Sequence, residues 1–400
     1  MKFKYLYHLI CFLILQNTFQ NAHANLQTLD FETAWRRVLN ASPDLHIAGD
    51  ERAIWQAEKR QALLFPNPFL VVEMDCDMTY SVSQLIEPVN KRIYRHRVAA
   101  QGESIAARNL EQVCQELRED LSLAFIDVAV VQERIKIARE REDLSLKILE
   151  SSKSKVDIGK KDGFQRFKAK ISAQASHLAT IKIQSNFEKI KKNLSMRWGS
   201  PEVDFEYVSY PLFAITPPPS ISMLECILRN NPRYRKDTEA VYLALENLNL
   251  QRAERIPDLE ITAGYSHHDG FVLDFAVPLP IFNQNQENIR KASHRFSQTQ
   301  WIQAKTYQEL EASFHEIYQH FVMAYRQIKE IEAELLPEAV HALEMVTEGH
   351  QKGKFDFSDL FEIQNTVFGL REEHLNFLKD YHDSKVKLEA LVGNELGNFP

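Results

Sequence analysis

The sequence predicts a mainly α-helical protein that also contributes four strands to a membrane β-barrel, organised as two tandem copies of one unit. Three observations support this: a long internal repeat, helices with a coiled-coil period, and short regions of alternating polarity. Pro43 and Pro68 return as Pro232 and Pro257, each in a similar local sequence. A repeat of this length is far longer than a solenoid repeat, so each copy is one structural unit with the same order of elements.

The N-terminus resembles an export signal. Lys2 and Lys4 precede an apolar run at residues 5–15, and Ala22-His23-Ala24 provides a cleavage pattern of small residues. The run is too short to span a bilayer, which needs about 20 apolar residues in a helix. We therefore expect an unlipidated mature chain that begins near Asn25.

The repeat and its turn signals divide the chain into predicted segments. They are a signal peptide at 1–24, a first repeat at 25–206, a proline-rich connector at 207–220, a second repeat at 221–393 and a tail at 394–400. Each repeat is predicted to contain one β-hairpin, at 69–87 and 259–279, and one helical turn, near 159–163 and 353–359.

Composition narrows the class of function. With 48 basic and 55 acidic residues the net charge is -7, and no basic arm or face indicates nucleic-acid binding. Only 12 glycines are present, which disfavours a nucleotide-binding loop. Cys76, Cys114 and Cys226 have no metal-ligand spacing. We predict no cofactor and no metal site, and no nucleophile motif indicates an enzyme.

The first long helix is predicted from Glu103 to Ile158, a stretch without Gly or Pro that would extend about 84 Å. Its apolar residues recur with a period near 3.5, which indicates a coiled-coil seam. The second repeat carries the same pattern. Its predicted seam is Leu310, Phe314, Ile317, Phe321, Ala324, Ile328, Ile331 and Leu335.

Within each predicted hairpin the period changes to two, which is typical of half-buried strands. The strands are expected to have about nine residues each, enough to cross the apolar layer when tilted. We predict that one face contacts lipid. Its residues are Met78, Tyr80, Val82, Ile261, Tyr265, Phe271, Leu273 and Phe275.

Four strands cannot close a barrel, and an open edge in lipid would leave backbone groups without hydrogen bonds. Closure therefore requires more than one chain. Three copies would supply twelve strands and a matching cylinder of helices.

These motifs resemble the outer membrane efflux protein family, the TolC family, and within it the outer-membrane component of Czc-type cation-efflux systems. The resemblance follows the mature chain in order. It rests on residues 34–43, 64–68, 83–87 with Lys91 and Arg92, 231–232, 257–259, 277–283 with Asn285 and Ile289, and 348–353 through Asp359 and Leu360 to Gly393. It implies a passive homotrimeric duct in the outer membrane with a periplasmic extension, the exit channel of a tripartite efflux system that would export metal cations or drugs. Its expected partners are a periplasmic adaptor (membrane fusion protein), an inner-membrane pump of RND type and outer-membrane lipid.

The resemblance also assigns roles to the two helical turns. As the periplasmic tip they would receive the adaptor, through Gly159, Asp162, Phe164, Gly353, Lys354, Phe355, Asp356 and Leu360. Asp356 and Asp359, repeated threefold, would form an acidic gate. The structural alternative is that Asp356 caps the returning helix and Leu360 belongs to the core.

Three alternatives remain open from the sequence. The duct could serve a type I secretion system rather than an efflux pump. The chain could be a soluble periplasmic coiled-coil scaffold, although that leaves the four amphipathic strands and the duplication without a reason. It could also be an exported hydrolase, for which no catalytic motif is recognisable.

Overall fold

The computed structural model describes residues 28–74, 78–157, 163–267 and 270–393. The predicted signal peptide and tail lie outside these ranges, as do the hairpin turn at 75–77, the turn at 158–162 and residues 268–269. The described residues are mostly helical, with one antiparallel sheet in the order β1-β2-β3-β4. The predicted class, long helices with four strands, is confirmed.

The first half of the chain starts with helices α1 (Phe31–Ala41) and α2 (Pro43–Gln61). Strands β1 (Phe69–Met74) and β2 (Met78–Ile86) follow. The long helix α3 (Val89–Asp157) then runs away from the sheet, and α4 (Gly163–Ser195) returns alongside α3.

The second half has the same order of elements. After the short helix α5 (Ile221–Glu225) come α6 (Pro232–Ala253), β3 (Leu259–Ser266) and β4 (Gly270–Ala276). Helix α7 (Gln286–Glu330) continues through a π-helix (Ile331–Leu335) into α8 (Leu336–Gln351). Helix α9 (Phe357–Val392) returns.

The helices form two walls, one above the other. Near the sheet the order is α2-α3-α6-α7, and farther from it the order is α4-α3-α9-α8. Two apolar clusters lie at the level where the walls meet. One is centred on Phe314, Phe321 and Tyr381, and the other on Leu121, Phe125 and Leu194. The chain between the halves crosses this level, where the Tyr381 hydroxyl donates to the carbonyl of Thr216 at 2.9 Å.

The first long helix is longer than predicted, because it starts at Val89 rather than at Glu103. The sequence prediction stopped at Gly102, but this glycine lies inside the helix. A Cβ on Gly102 would lie 2.2 Å from the Trp55 ring, so glycine allows α2 and α3 to approach closely. Its role is packing between helices, not termination.

The predicted seam of the second repeat is right except at its end. Leu310, Phe314, Phe321, Ala324, Ile328 and Ile331 are buried, whereas Leu335 is 49% exposed. Pro337 lacks an N–H and its ring crowds the carbonyl four residues earlier, which favours a widened π-turn. A π-helix has more residues per turn than an α-helix, so the seam positions drift along it, and Leu335 at its end no longer faces the core.

The expectation of nine residues per strand holds only for β2. The other strands have six, eight and seven residues. Pro66 and Pro68 precede β1 and Pro278 follows β4, and proline cannot donate a hydrogen bond to a sheet. These positions limit how far the ladder extends.

Candidate membrane face and helical tip

One face of the sheet is almost entirely apolar. In antiparallel strands, residues directly opposite each other share a face. Tyr80 is opposite Val72 on one side and Tyr265 on the other, and Tyr265 is opposite Phe271. The same register places all eight predicted lipid-facing residues on this face, which we call the apolar sheet face. Its other members are Leu70, Val72, Met74, Gln84, Ile86, Leu259 and Ala263.

The apolar sheet face is exposed in the single chain. Phe271 is 73% exposed, Phe275 63% and Tyr265 57%. Burying a large apolar side chain gains about 1.5–3 kcal/mol relative to leaving it in water. A face of this size needs an apolar environment, and lipid supplies one.

The opposite face of the sheet is mixed: it carries Phe69, Val71, Leu85 and Val272, but also most of the polar residues and all the acidic residues of the strands. Glu73, Glu260 and Asp274 lie on it, and the four strands contain no Lys or Arg. The Ser83 hydroxyl donates to the Glu260 carboxylate. Alternation between a lipid-facing and a water-facing side is the pattern of a membrane β-barrel.

Ion pairs join the sheet to the helices below it. The Lys91 ammonium lies 2.6 Å from the Asp258 carboxylate and is largely buried. Arg95 binds Glu87 through both guanidinium nitrogens, and this hydrogen bonding raises the pKa of Arg95 above its usual value. Bidentate pairs fix geometry as well as charge, so they hold α3 at a defined angle to the strands.

The turn between α8 and α9 lies where the sequence predicts it. Gly353 adopts a φ of 78°, a left-handed conformation that glycine enters without strain. Asp356 and Asp359 form a capping box at the start of α9, in which the Asp356 N–H donates to the Asp359 carboxylate at 2.9 Å. Both proposed gate carboxylates therefore have a structural role in starting a helix.

The side chains of this turn differ in exposure. Lys354 is exposed and Phe355 is 38% exposed. Leu360 is 1% exposed and packs with Ile148 and Phe357. The structure thus supports the core alternative for Leu360, because a buried side chain presents no surface to a partner.

Of the residues assigned to the other turn, Gly159 and Asp162 lie outside the described residues. Phe164, in the first turn of α4, is 61% exposed, and the Lys168 ammonium lies 4.8 Å from its ring centre. The starts of α4 and α9 are at the same end of the helical wall, since Ala169 of α4 belongs to the same cluster as Phe357 of α9.

Sequence reasoning missed a polar contact that joins three helices near this end. The Ser145 hydroxyl of α3 lies 3.1 Å from the Ser176 hydroxyl of α4, and the Gln364 amide of α9 donates to Ser145 at 3.1 Å. All three residues are buried. In the sequence, each of the three is a single small or polar residue among the apolar residues of its helix. That is a weak signal, and its meaning becomes clear only when the packing of the three helices is known.

No described helix is both long enough and apolar enough to cross a membrane.

The sheet has one apolar face of the kind that contacts lipid, and it stands on a long helical wall with open edges. This combination defines the class of outer-membrane channels that extend into the periplasm. Residues 223–394 match the family model described as Outer membrane efflux protein. The match covers the second half of the chain, which therefore resembles this family of channels in the outer membrane of Gram-negative cells.

Two curated relatives are metal-resistance proteins. The cobalt-zinc-cadmium resistance protein CzcC of Cupriavidus metallidurans is 23% identical over 383 residues, covering 91% of this chain and 90% of the relative. The nickel-cobalt-cadmium resistance protein NccC of Alcaligenes xylosoxydans xylosoxydans is 23% identical over 56% of this chain and 51% of its own length.

Solved structures have the same fold. CusC superposes with a TM-score of 0.77 at 16% identity, covering 91% of this chain and 92% of CusC. The outer-membrane channel OprN gives 0.78 at 13% identity, with 91% and 89% coverage. VceC from Vibrio cholerae gives 0.77 at 14% identity, with 91% and 96% coverage.

Proposed function

We propose that three copies of this chain form one passive duct, the exit channel of a tripartite efflux system. The observation that carries the proposal is the four-stranded sheet with one apolar face and two unpaired edge strands, β1 and β4. Edges exposed to lipid cost several kcal/mol for each unpaired backbone group. Pairing β1 of one copy with β4 of the next removes every edge when the ring closes.

The same proposal assigns each half of the chain a part of the duct. The halves, proposed at 25–206 and 221–393 and joined by 207–220, share one order of helix, hairpin and long helical hairpin. Each would contribute two strands and two long helical segments to the duct. The signal at 1–24 would direct export and be removed, and residues 394–400 would follow as a tail.

For the cargo we propose divalent metal cations. The support is the relation to two metal-resistance proteins and the acidic polar face of the sheet, with Glu73, Glu260 and Asp274. Rings of carboxylates in a water-filled pore favour cations over anions. The chain would perform no chemistry itself, and the energy would come from an inner-membrane pump of RND type.

For docking we propose that a periplasmic adaptor contacts the turn between α8 and α9. Lys354 and Phe355 project from it. Phe164 and the turn with Gly159 and Asp162 would lie at the same end of the duct. Charge reversal by Lys354→Glu should weaken the adaptor contact without unfolding the chain. Lys352→Glu is the matched control, because that exposed lysine is two residues away and pairs with Glu348 at 3.5 Å.

The proposal is tested first by mass. The mature protein purified in detergent should have the mass of three chains, and a stable monomer would contradict the duct. Deletion of the gene should raise the sensitivity of the cell to cobalt, zinc or cadmium, and the wild-type gene should restore resistance. Unchanged metal sensitivity with lost export of a protein would favour a type I secretion duct instead.

Lys354→Glu should complement metal resistance less well than Lys352→Glu at equal amounts in the outer membrane. Equal complementation would remove Lys354 from the adaptor contact. In planar bilayers the purified trimer should prefer cations, and the triple variant Glu73→Gln, Glu260→Gln and Asp274→Asn should lose part of that preference. No change in preference would contradict a role for the sheet carboxylates.

A further inference from the structure

The apolar sheet face continues below the strands, onto the segments that join them to the helices. Leu64 and Phe65, shortly before β1, are 58% and 63% exposed, and Val89, shortly after β2, is 62% exposed. Ile256, before β3, is exposed as well. We call these four residues the lower rim. Large apolar residues that remain exposed together at the end of a membrane face indicate contact with a further partner.

A hydrogen bond places the lower rim on the lipid side of the sheet. Gln84 belongs to the apolar sheet face and is opposite Ile261 of β3. Its amide nitrogen donates to the carbonyl of Pro66 at 2.9 Å. The chain next to Phe65 is therefore held at the margin of the apolar sheet face, and not behind the polar face.

The length of β2 sets the depth of the lower rim. Val82 is the central residue of this strand, and Ile86, its last residue, is about 13 Å farther along it and about 10 Å deeper for a tilt near 40°. An apolar band about 25 Å tall ends about 12 Å from its midplane. Val89 and Arg92, which follow Ile86, therefore lie at the level of the lipid headgroups on the helix side of the membrane.

Arg92 contacts the lower rim with one face of its guanidinium group. The guanidinium carbon lies 4.0 Å from the centre of the Phe65 ring. A contact of this kind uses the flat face of the group and leaves the N–H donors at its edge available. Such a planar fork binds two oxygens of a phosphate at once.

The neighbouring cations of α3 bind carboxylates instead. Lys91 pairs with Asp258 at 2.6 Å, and Arg95 binds Glu87 through both guanidinium nitrogens. Among the described residues, the ion pairs at the start of α3 involve these two cations and not Arg92. The charge of Arg92 is therefore available to a ligand outside the chain.

The second hairpin carries an arginine at a matching height. Arg255 is four residues before the first residue of β3, as Phe65 is four residues before the first residue of β1. Arg255 is exposed next to Ile256 of the lower rim, and its guanidinium donates to the uncharged amide of Gln284 at 2.7 Å. Each hairpin thus has a cation at its base, whereas the strands above contain no Lys or Arg.

We propose that Arg92, held against Phe65, binds the phosphate of an anionic phospholipid in the periplasm-facing leaflet, and that Arg255 makes the corresponding contact at the second hairpin. The lower rim would contact the first carbons of the acyl chains. This inference rests on the proposed placement of the sheet in the membrane and identifies the class of lipid that its base binds. Lipid is the occupant because the lower rim is continuous with the apolar sheet face, and because cations appear where that face ends. Cover by a second copy is the competing outcome, since β1 is an edge strand.

Native mass spectrometry of the full mature protein measures this lipid preference. The protein in detergent is mixed with phosphatidylglycerol or with phosphatidylcholine at the same concentration, and the lipids retained by each trimer are counted. Phosphatidylcholine carries the same phosphate, but its own ammonium group neutralises the charge. Arg92→Gln removes the positive charge from a side chain of similar length. Arg108→Gln is the matched control, because Arg108 is also a half-buried arginine of α3 but lies about 24 Å farther along the helix from the sheet.

We expect the wild type and Arg108→Gln to retain phosphatidylglycerol severalfold better than phosphatidylcholine. Arg92→Gln should lose about half of this preference, and Arg92→Gln combined with Arg255→Gln should lose most of it. Equal retention of the two lipids by the wild type, or the same preference in Arg92→Gln and Arg108→Gln, would overturn the lipid site while leaving the trimer in place. A monomeric mass would instead refute the proposed trimer.

Fluorescence quenching tests the depth of the lower rim independently. In a background with the native cysteines replaced by serine, a fluorophore is attached at Leu64→Cys or, as the midplane control, at Val82→Cys. The protein is then placed in vesicles whose lipids carry a spin label near the headgroup or near the chain end. The label near the headgroup should quench the Leu64 position more strongly, and the label near the chain end should quench the Val82 position more strongly. Normal quenching at Val82 with none at Leu64 would show that a second copy covers the lower rim, and would overturn the proposal.

Discussion

The assignment of the two sheet faces predicts how an added charge acts at each position of β2. Val82 is the central residue of this strand, 48% exposed on the apolar sheet face, opposite Leu70 and Ala263. Arginine at the bilayer midplane of a β-barrel costs about 2–4 kcal/mol, and the cost falls to about 0–1 kcal/mol near the interfaces. Val82→Arg should therefore cost about 2–4 kcal/mol per chain.

The geometry of the strand predicts how the cost of an added arginine changes with depth in the bilayer. Met78 is four residues from Val82, about 13 Å along the strand and about 10 Å in depth for a tilt near 40°. The apolar band of such barrels is about 25 Å tall, so Met78 lies close to its edge. Met78→Arg should cost about 1 kcal/mol or less, and Tyr80→Arg should be intermediate.

Ser81 provides the control on the polar face. It is opposite Gly264 and lies on the same face as Glu260 and Asp274. Ser81→Arg should leave stability nearly unchanged and reduce cation preference, because it places a positive charge in the pore.

The series is measured by urea unfolding of the protein in lipid vesicles, followed by tryptophan fluorescence. Ser81→Arg is also measured by single-channel recording. Equal losses at Val82 and Ser81 would refute the assignment of the faces. Equal losses at Val82 and Met78 would refute the placement of the strand centre at the membrane midplane.

Three further predictions concern the tip and the centre of the helical wall. Asp356→Ala should lower the free energy of unfolding by about 0.5–2 kcal/mol, because the helix cap is lost. If Asp356→Asn and Asp359→Asn leave conductance and ion preference unchanged in planar bilayers, the acidic gate is refuted. Gly349→Ala would place a Cβ 2.3 Å from the Phe355 ring, so it should destabilise the turn by about 1–3 kcal/mol and speed proteolysis there. Gly369 has open space around it, so Gly369→Ala should be neutral or stabilising. Burial lowers the pKa of His382 to about 4 from 6.5. The unfolded chain therefore binds more protons between these values, and stability should fall as pH drops from 6.5 towards 4, by up to about 3 kcal/mol. Thermal melts across this range should show a shallower slope for His382→Gln, and identical slopes would contradict the link.

The periodicity of the sequence determines most of the secondary structure. A 3.5-residue period favours long paired helices and a two-residue period favours amphipathic strands, because side-chain direction repeats with the backbone. For the same reason the residues predicted to face lipid share one face in the register that the strands adopt. The glycine and aspartate at the α8–α9 turn are local conformational signals, and the structure places that turn where they predict it.

The tertiary structure decided what depends on contacts between distant segments. Gly102 predicts a helix end by itself, but Trp55 of another helix makes it a packing position. The sequence pattern places Leu335 in the seam, but the structure has a π-helix just before Pro337, and Leu335 is exposed. Ile171 and Leu178 of α4 belong to an apolar period visible in the sequence, but that they remain exposed emerges only once α3 occupies the opposite side of the helix. Sequence specifies which faces are apolar, and tertiary packing decides which of those faces remain uncovered, because burial depends on the partner that each face meets.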